Sequence, residues 1–504
     1  MKKFLAVMML CALGASVFAG GGQSGGSASG TKPFEFTLYG NLVPELTEAD
    51  QVFFKTLNEK TNTNVKVQLP PSSNYAESLT IMMASGDYPD LVLFPDHNNR
   101  AFQDGVRDGV ILPLNDYIAK APNLQKYSYD LSWNTLKVLG DDKIYGIPRT
   151  SIARADGYLI RQDWLNKVGI SIEEGKPITL DKLTEILTAF TTKDPDGNGV
   201  NDTYGLGLGS GDGNLSINSV IGWAFGLRGW DEYPGEDYKY MDLGYSKKNP
   251  AMKNALTYMN MLYKNRLIDP DWATLNNDAY SQRFDQGITG VRSEFAGWMP
   301  DTETRIKNAA PNAKLSYIVG LVQKEGDKVQ GGSFSTGFWG QWAIMKSAKE
   351  PQKIVDVLDY MLSDNFWETV NYGIEGYAWQ YDANRNRIAV PGSVYNAGRQ
   401  ILRRNNAPEF FVGVSTAVAD RSRVVNLINT CIAQAVFSKD GGFRPAVADD
   451  PKYIDADKAY KVAISKIISG DLPVSAYDAE LEKWYSAGGE QYIRQMNAGI
   501  QAGN

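Results

Sequence analysis

Histidine is nearly missing from this chain of 504 residues, where His97 stands alone. That removes His-based zinc sites and every Ser-His or Cys-His catalytic pair except one built on His97. His97 follows a short apolar run in an otherwise polar loop, a setting that suits hydrogen bonding at a surface or cleft better than catalysis. Cysteine is almost as scarce, with Cys11 and Cys431 only. Cys11 falls inside an N-terminal apolar run that reads as a leader. Cys431 is then left without an intrachain partner, so the fold has to rest on its own core. No later stretch reaches the roughly eighteen uninterrupted apolar residues of a membrane span. No G-x-S-x-G elbow surrounds a serine placed to act as a nucleophile, and no G-x-x-x-x-G-K-S/T loop occurs. The run Gly205–Gly211 lacks the spacing of a dinucleotide fingerprint. Carboxylate pairs such as Asp141-Asp142, Glu173-Glu174 and Asp231-Glu232 are neighbours in sequence, as in solvated turns. A glycan-cleaving enzyme needs two carboxylates converging from separate elements, and nothing points to such a pair.

What is present begins with an export signal. Lys2 and Lys3 precede an apolar stretch from Phe4 to Phe18, and Val17-Phe-Ala19 fits signal-peptidase cleavage, giving a leader over 1–19. Residues 20–30 are almost pure Gly and Ser, a flexible tether. Leu10 stands where a lipid-modified Cys11 would need a small residue. The expectation is a soluble periplasmic or extracellular protein without a lipid anchor. Net charge is −7, or −9 without Lys2 and Lys3, which disfavours nucleic acid and anionic lipid as partners. Eleven Trp and twenty-seven Tyr imply a surface that stacks flat, polar ligands in addition to a core.

The most informative segment is Asp194-Pro-Asp-Gly-Asn-Gly-Val-Asn-Asp202. Asp194, Asp196, Asn198, the Val200 carbonyl and Asp202 fall at positions 1, 3, 5, 7 and 9 of a Ca²⁺ loop, with Gly199 at the sixth. The twelfth position is Gly205 where a bidentate Glu belongs, so the loop is not a complete EF-hand. Leu180, Leu183, Ile186, Leu187 and Phe190 form one stripe of a helix entering it, and 203–208 reads as a strand. The expected cofactor is a structural Ca²⁺; the alternative is a hydrated Asp/Gly turn.

Periodicity gives an α/β chain. Phe34, Phe36 and Leu38 alternate as a strand; Val52, Phe53 and Leu57 belong to a helix capped by Thr47; Val65, Val67 and Leu69 form a second strand. A helix through Leu79 and Met82, then Leu91–Phe94, completes a β-α-β-α-β order and a parallel sheet. Ligands of such sheets sit beyond the strands' carboxyl ends. Those ends offer Asn41, Asp96 and Arg149 as polar candidates. Later helices are expected at 351–362, 453–468 and 476–486, and no fixed-period repeat occurs.

Several segments together resemble the extracellular solute-binding proteins of bacterial carbohydrate ABC importers, in the long, lipoprotein-like subgroup. They are Ala84-Ser-Gly-Asp-Tyr-Pro-Asp-Leu91, Lys143-Ile-Tyr-Gly-Ile-Pro148, Leu159–Gly169, Lys193–Gly199 with Asp202–Leu206, Asn371-Tyr-Gly-Ile-Glu-Gly376 and Gly470-Asp-Leu472. The resemblance implies a periplasmic-binding-protein-like fold of two discontinuous α/β lobes joined by a multi-strand hinge. Lobe one is expected over 31–149 plus 322–390 and lobe two over 150–321 plus 391–504. It implies a monomer that captures a carbohydrate, such as an oligosaccharide, between the lobes and hands it to ABC permease subunits, with no catalysis. Other uses of the fold are a receptor feeding a signalling kinase and, less favoured, a glycan-active enzyme. Trp298, Trp339 and Trp379 with Tyr377 and Glu375 are the expected ligand contacts, and Trp223 and Trp230 extend the platform. Trp342, alternating with Ala343 and Ile344, is expected in the core.

Overall fold

The computed structural model describes residues 32–138, 142–209, 219–334 and 336–503. The leader with Cys11, the Gly/Ser tether, Asp141 and the end of the Gly205–Gly211 run lie outside these residues. The folded unit begins at Phe34.

Alternating apolar residues in Phe34–Tyr39 and Thr63–Gln68 make two parallel strands in full register, Phe34 opposite Thr63 and Tyr39 opposite Gln68. Between them runs the helix Glu48–Thr61. Its Thr47 cap accepts from the Asp50 N–H while the Asp50 carboxylate accepts from the Thr47 N–H, a capping box. The helix ends at Asn62 in the left-handed region. Leu91–Phe94, apolar at every position and wholly buried, joins as a parallel neighbour of the first strand. Phe338–Ile344 then runs antiparallel between it and Ile147–Thr150, closing a five-stranded sheet. Helices Pro351–Leu362 and Trp367–Tyr372 cover this sheet. Trp342 is fully buried in its core and gives its indole N–H to the Ile401 carbonyl at 2.8 Å.

A second, four-stranded sheet orders Leu315–Ile318, Gly157–Arg161, Thr289–Glu294 and Tyr204–Leu206. Helices Leu180–Thr192, Ala251–Lys264 and Pro451–Ser469 pack around it in a separate core. Leu183, Ile186, Leu187 and Phe190 are all buried there, the stripe that their spacing predicts. Among the described residues the chain passes between the two cores three times. It does so at 151–156, between Leu321 and Phe338, and near 411, where Phe410 packs in the first core and Val412 in a third cluster beside the second sheet. Cys431 is buried in that third cluster, and burial raises its thiol pKa to about 12, so it packs as a small apolar side chain. Among the described residues, no helix is long and apolar enough to cross a membrane.

Candidate functional site

Strand direction decides which residues share an edge. Because Phe338–Ile344 runs against its neighbours, its first residues lie beside the carboxyl ends of Leu91–Phe94 and Ile147–Thr150, with Phe338 opposite Thr150. Register slips between Phe338 and Gln341, and Gly340 at φ +83° makes that irregularity possible without strain. The slip leaves the Trp339 ring 53% exposed, its carbonyl 3.5 Å from Arg149 Nη1. Asp96, exposed, stands at the same edge; its carbonyl accepts from the buried Gln341 amide at 2.9 Å. Asn41, half-buried, follows the first strand there too.

The second sheet brings its own edge toward the same crossing. Glu294, at the end of Thr289–Glu294, pairs with Gly157, the residue after the first crossing segment. One turn later Trp298 is 47% exposed, edge-on to the buried Phe295 at 6.1 Å. Phe295 in turn meets Phe411, of the third crossing, at 4.9 Å, and carries the Arg154 guanidinium 3.8 Å from its ring centre. A continuous band of aromatic and guanidinium groups thus links the Trp298 and Trp339 edges.

Basic charge in that band is concentrated. Arg149, Arg154, Arg399 and Arg403 are each half-buried. Arg154 pairs with Asp156 at 2.9 Å. Gln400 Oε1 accepts from Arg149 and also, at 3.1 Å, from Arg403. Burial depresses the Arg149 pKa to about 10 and holds Arg399 below the usual range. Arg403 lies well below it, through burial first and then the charges of Arg149, Arg399 and Arg154. Arg399 and Arg403 carried no signal in the sequence, because a basic residue in or just after a short helix is ordinarily a solvated end.

The other expected contacts lie elsewhere. Trp230 is buried in the second core at 5% exposure, and Trp223, half-buried, packs against that core. Trp379 is only 8% exposed; its indole N–H goes to the Gly373 carbonyl at 3.2 Å and Arg387 lies 4.6 Å from its ring centre. The structure packs Trp379 instead of presenting a ring face. Glu375 is exposed beside it, and the exposed Tyr377 lines a cavity of about 340 Å³ with Thr47 and Pro391. His97 is buried, its Nε2 2.7 Å from the Gly442 carbonyl.

In the acidic loop the backbone takes the expected turn, with Gly197 and Gly199 at φ +81° and +85°. Asp194 accepts from the Gly197, Asn198 and Gly199 N–H groups at 3.0–3.1 Å. The Asn198 amide nitrogen donates to Asp196 at 2.8 Å and to Asp202 at 3.2 Å, so acidic groups already gather on one donor. Desolvation, then the hydrogen bond to Asp194, raises the Asp196 pKa, and the Asp202 charge adds to this. Among the described residues, no group of three or more His, Cys, Asp or Glu is drawn close enough to hold a metal.

A family model described as bacterial extracellular solute-binding protein matches residues 43–365. The polygalacturonan/rhamnogalacturonan-binding protein YtcQ of Bacillus subtilis (strain 168) is 26% identical, over 88% of this chain and 86% of its own. Lipoprotein LipO of the same organism is 27% identical over 94% of each chain. A solved structure of the Streptococcus pneumoniae ABC-transporter substrate-binding protein FusA, an EF-hand mutant in complex with fructo-nystose, superposes with a TM-score of 0.64. It is 19% identical and covers 94% of this chain and 100% of its own.

Proposed function

The chain belongs to the bacterial extracellular solute-binding proteins, and from that premise we propose that it captures an oligosaccharide and delivers it to an ABC permease. The carrying observation is that two tryptophans, Trp298 following a strand of the second sheet and Trp339 in a strand of the first, are half-exposed near the chain crossings. An indole face covers the apolar C–H side of a sugar ring, while Asn41, Asp96 and Arg149 reach its hydroxyls, the mixture that ligand pockets use. The names of YtcQ and FusA support a glycan ligand. Function is binding without catalysis.

The two sheet cores act as lobes that close on the ligand about the three crossings, a hinge motion. The leader over 1–19 directs export, the protein works outside the cytoplasm as a monomer, and Cys11 is removed with the leader. Ca²⁺ occupies the loop Asp194–Asp202. Asp196 and Asp202 both accept from the Asn198 amide nitrogen, so a cation taking that place would be held by both carboxylates. The EF-hand named for the FusA mutant supports this reading.

A thermal-shift screen against neutral and acidic oligosaccharides tests the carbohydrate reading. A ligand at a hundred times its Kd adds about 2.7 kcal/mol of stability. A panel without a single shift, beside a peptide panel that gives one, would overturn it.

A further inference from the structure

The four arginines of the crossing region are more than a hydroxyl-binding site needs. Arg154 alone has a carboxylate, Asp156. Among the described residues, no ion pair reaches Arg149, Arg399 or Arg403, and the Nε donor of each is buried with no acceptor. Gln400 Oε1 is a single neutral oxygen between the guanidiniums of Arg149 and Arg403, held in place as its own nitrogen donates to Asn396 Oδ1 at 3.1 Å. Arg399 spends one Nη on the Phe410 carbonyl. The acid whose charge acts on Arg399 is Asp301, three residues past Trp298, and its effect is smaller than that of burial. A fold gains nothing by gathering like charges in a desolvated place, so the arrangement is made for an anion that arrives from outside.

Resting on the carbohydrate reading, we infer that the ligand is an acidic glycan, with a uronic acid carboxylate held by Arg149, Arg399 and Arg403 between Trp298 and Trp339. The guanidinium fork matches the two coplanar oxygens of a carboxylate, and the shared Gln400 oxygen marks where two forks already converge. Phe410 and Phe411 lie 5.2 and 5.6 Å from the Arg403 guanidinium and hold it flat. Burial depresses the pKa of Arg149, and burial followed by the charges of Arg149, Arg399 and Arg154 depresses that of Arg403; this is the cost that a bound carboxylate removes.

The test is calorimetry on the full mature chain with galacturonate, glucuronate and guluronate/mannuronate oligomers, each beside its methyl ester, and with sulfated and unmodified neutral oligomers. At least one uronide is expected to bind tenfold or more tighter than its ester, with an affinity that falls as salt rises. Arg403→Gln and Arg149→Lys should each shrink that acid-over-ester ratio at least tenfold. The melting temperature of the free Arg403→Gln protein should be unchanged or higher, since a repelled charge is removed; a marked fall would mean a structural arginine and overturn the assignment. Binding of neutral oligomers with no uronide above its ester sinks the inference and leaves the carbohydrate reading intact. A sulfated oligomer tighter than every uronide also sinks it. No binding by any carbohydrate sinks both.

Discussion

At the scale of single residues, exposure separates rings that wait for a ligand from rings that hold the fold. Trp298→Ala and Trp339→Ala remove half-exposed indoles and leave no buried cavity. Each should weaken glycan binding by about 2 kcal/mol, roughly thirtyfold in Kd, with little change in melting temperature. Trp379→Ala and Trp230→Ala empty packed sites and should cost about 3–5 kcal/mol of stability. Calorimetry and denaturant titration on the four variants check both halves. Equal losses of stability at Trp298 and Trp379 would reject the division. Little of this contrast was legible in the sequence. Gly-Tyr-Ala-Trp379 and Ala-Gly-Trp298 both read as ring-bearing turns, and only the hydrogen bond to Gly373 and the Arg387 stack reveal the first as packed. Arg149 could be found because it ends a strand, whereas Arg399 and Arg403 meet it through chain crossings that no local pattern encodes.

At the scale of elements, local rules carried further. The Thr47 cap, the stripe of Leu180–Thr192 and the wholly apolar Leu91–Phe94 each follow from spacing and side-chain chemistry, and each is present. The turn Asp194–Asp202 is of this kind, since oxygens at alternate positions and glycines at φ near +80° are set by residues a few places apart. Its occupancy is the part that spacing leaves open. Added Ca²⁺ should raise the melting temperature and a chelator should lower it, with glycan affinity preserved because the loop's carboxylates bond within the loop and to none of the arginines. Asp196→Ala should abolish the Ca²⁺ response. It should also relieve the crowding of carboxylates, so the chelated variant should melt no lower than the chelated parent. A variant that still responds to Ca²⁺ would show that the ion binds elsewhere.

At the scale of the whole molecule, the parallel order of the first strands was legible because β-α-β units are local, and the two-sheet architecture followed only from family resemblance. The long-range ties were not legible. The clearest is His97, whose ring bonds to the Gly442 carbonyl 345 positions away, joining the loop after Leu91–Phe94 to a segment whose next residue, Phe443, packs on the second core. Gly442 sits at φ +78°, and a Cβ there would stand 2.9 Å from His97 Cε1, so the contact admits no larger residue. Burial lowers the His97 pKa below its ordinary 6.5, against the opposing pull of the Gly442 hydrogen bond and of Asp96 and Asp440. Below about pH 6.5 the unfolded chain binds a proton that the folded chain refuses, so this contribution is complete above that pH and is lost as pH falls toward the lower folded value. One such proton steepens the stability curve by at most about 1.4 kcal/mol per pH unit. His97→Gln keeps a hydrogen-bonding group and cannot titrate, so its stability should fall less than the parent's between pH 7 and pH 5. Urea midpoints at several pH values measure the difference. Parallel curves for parent and variant would mean that His97 is neutralised no earlier in the folded chain than in the unfolded one, and that acid loosens the two cores through other groups.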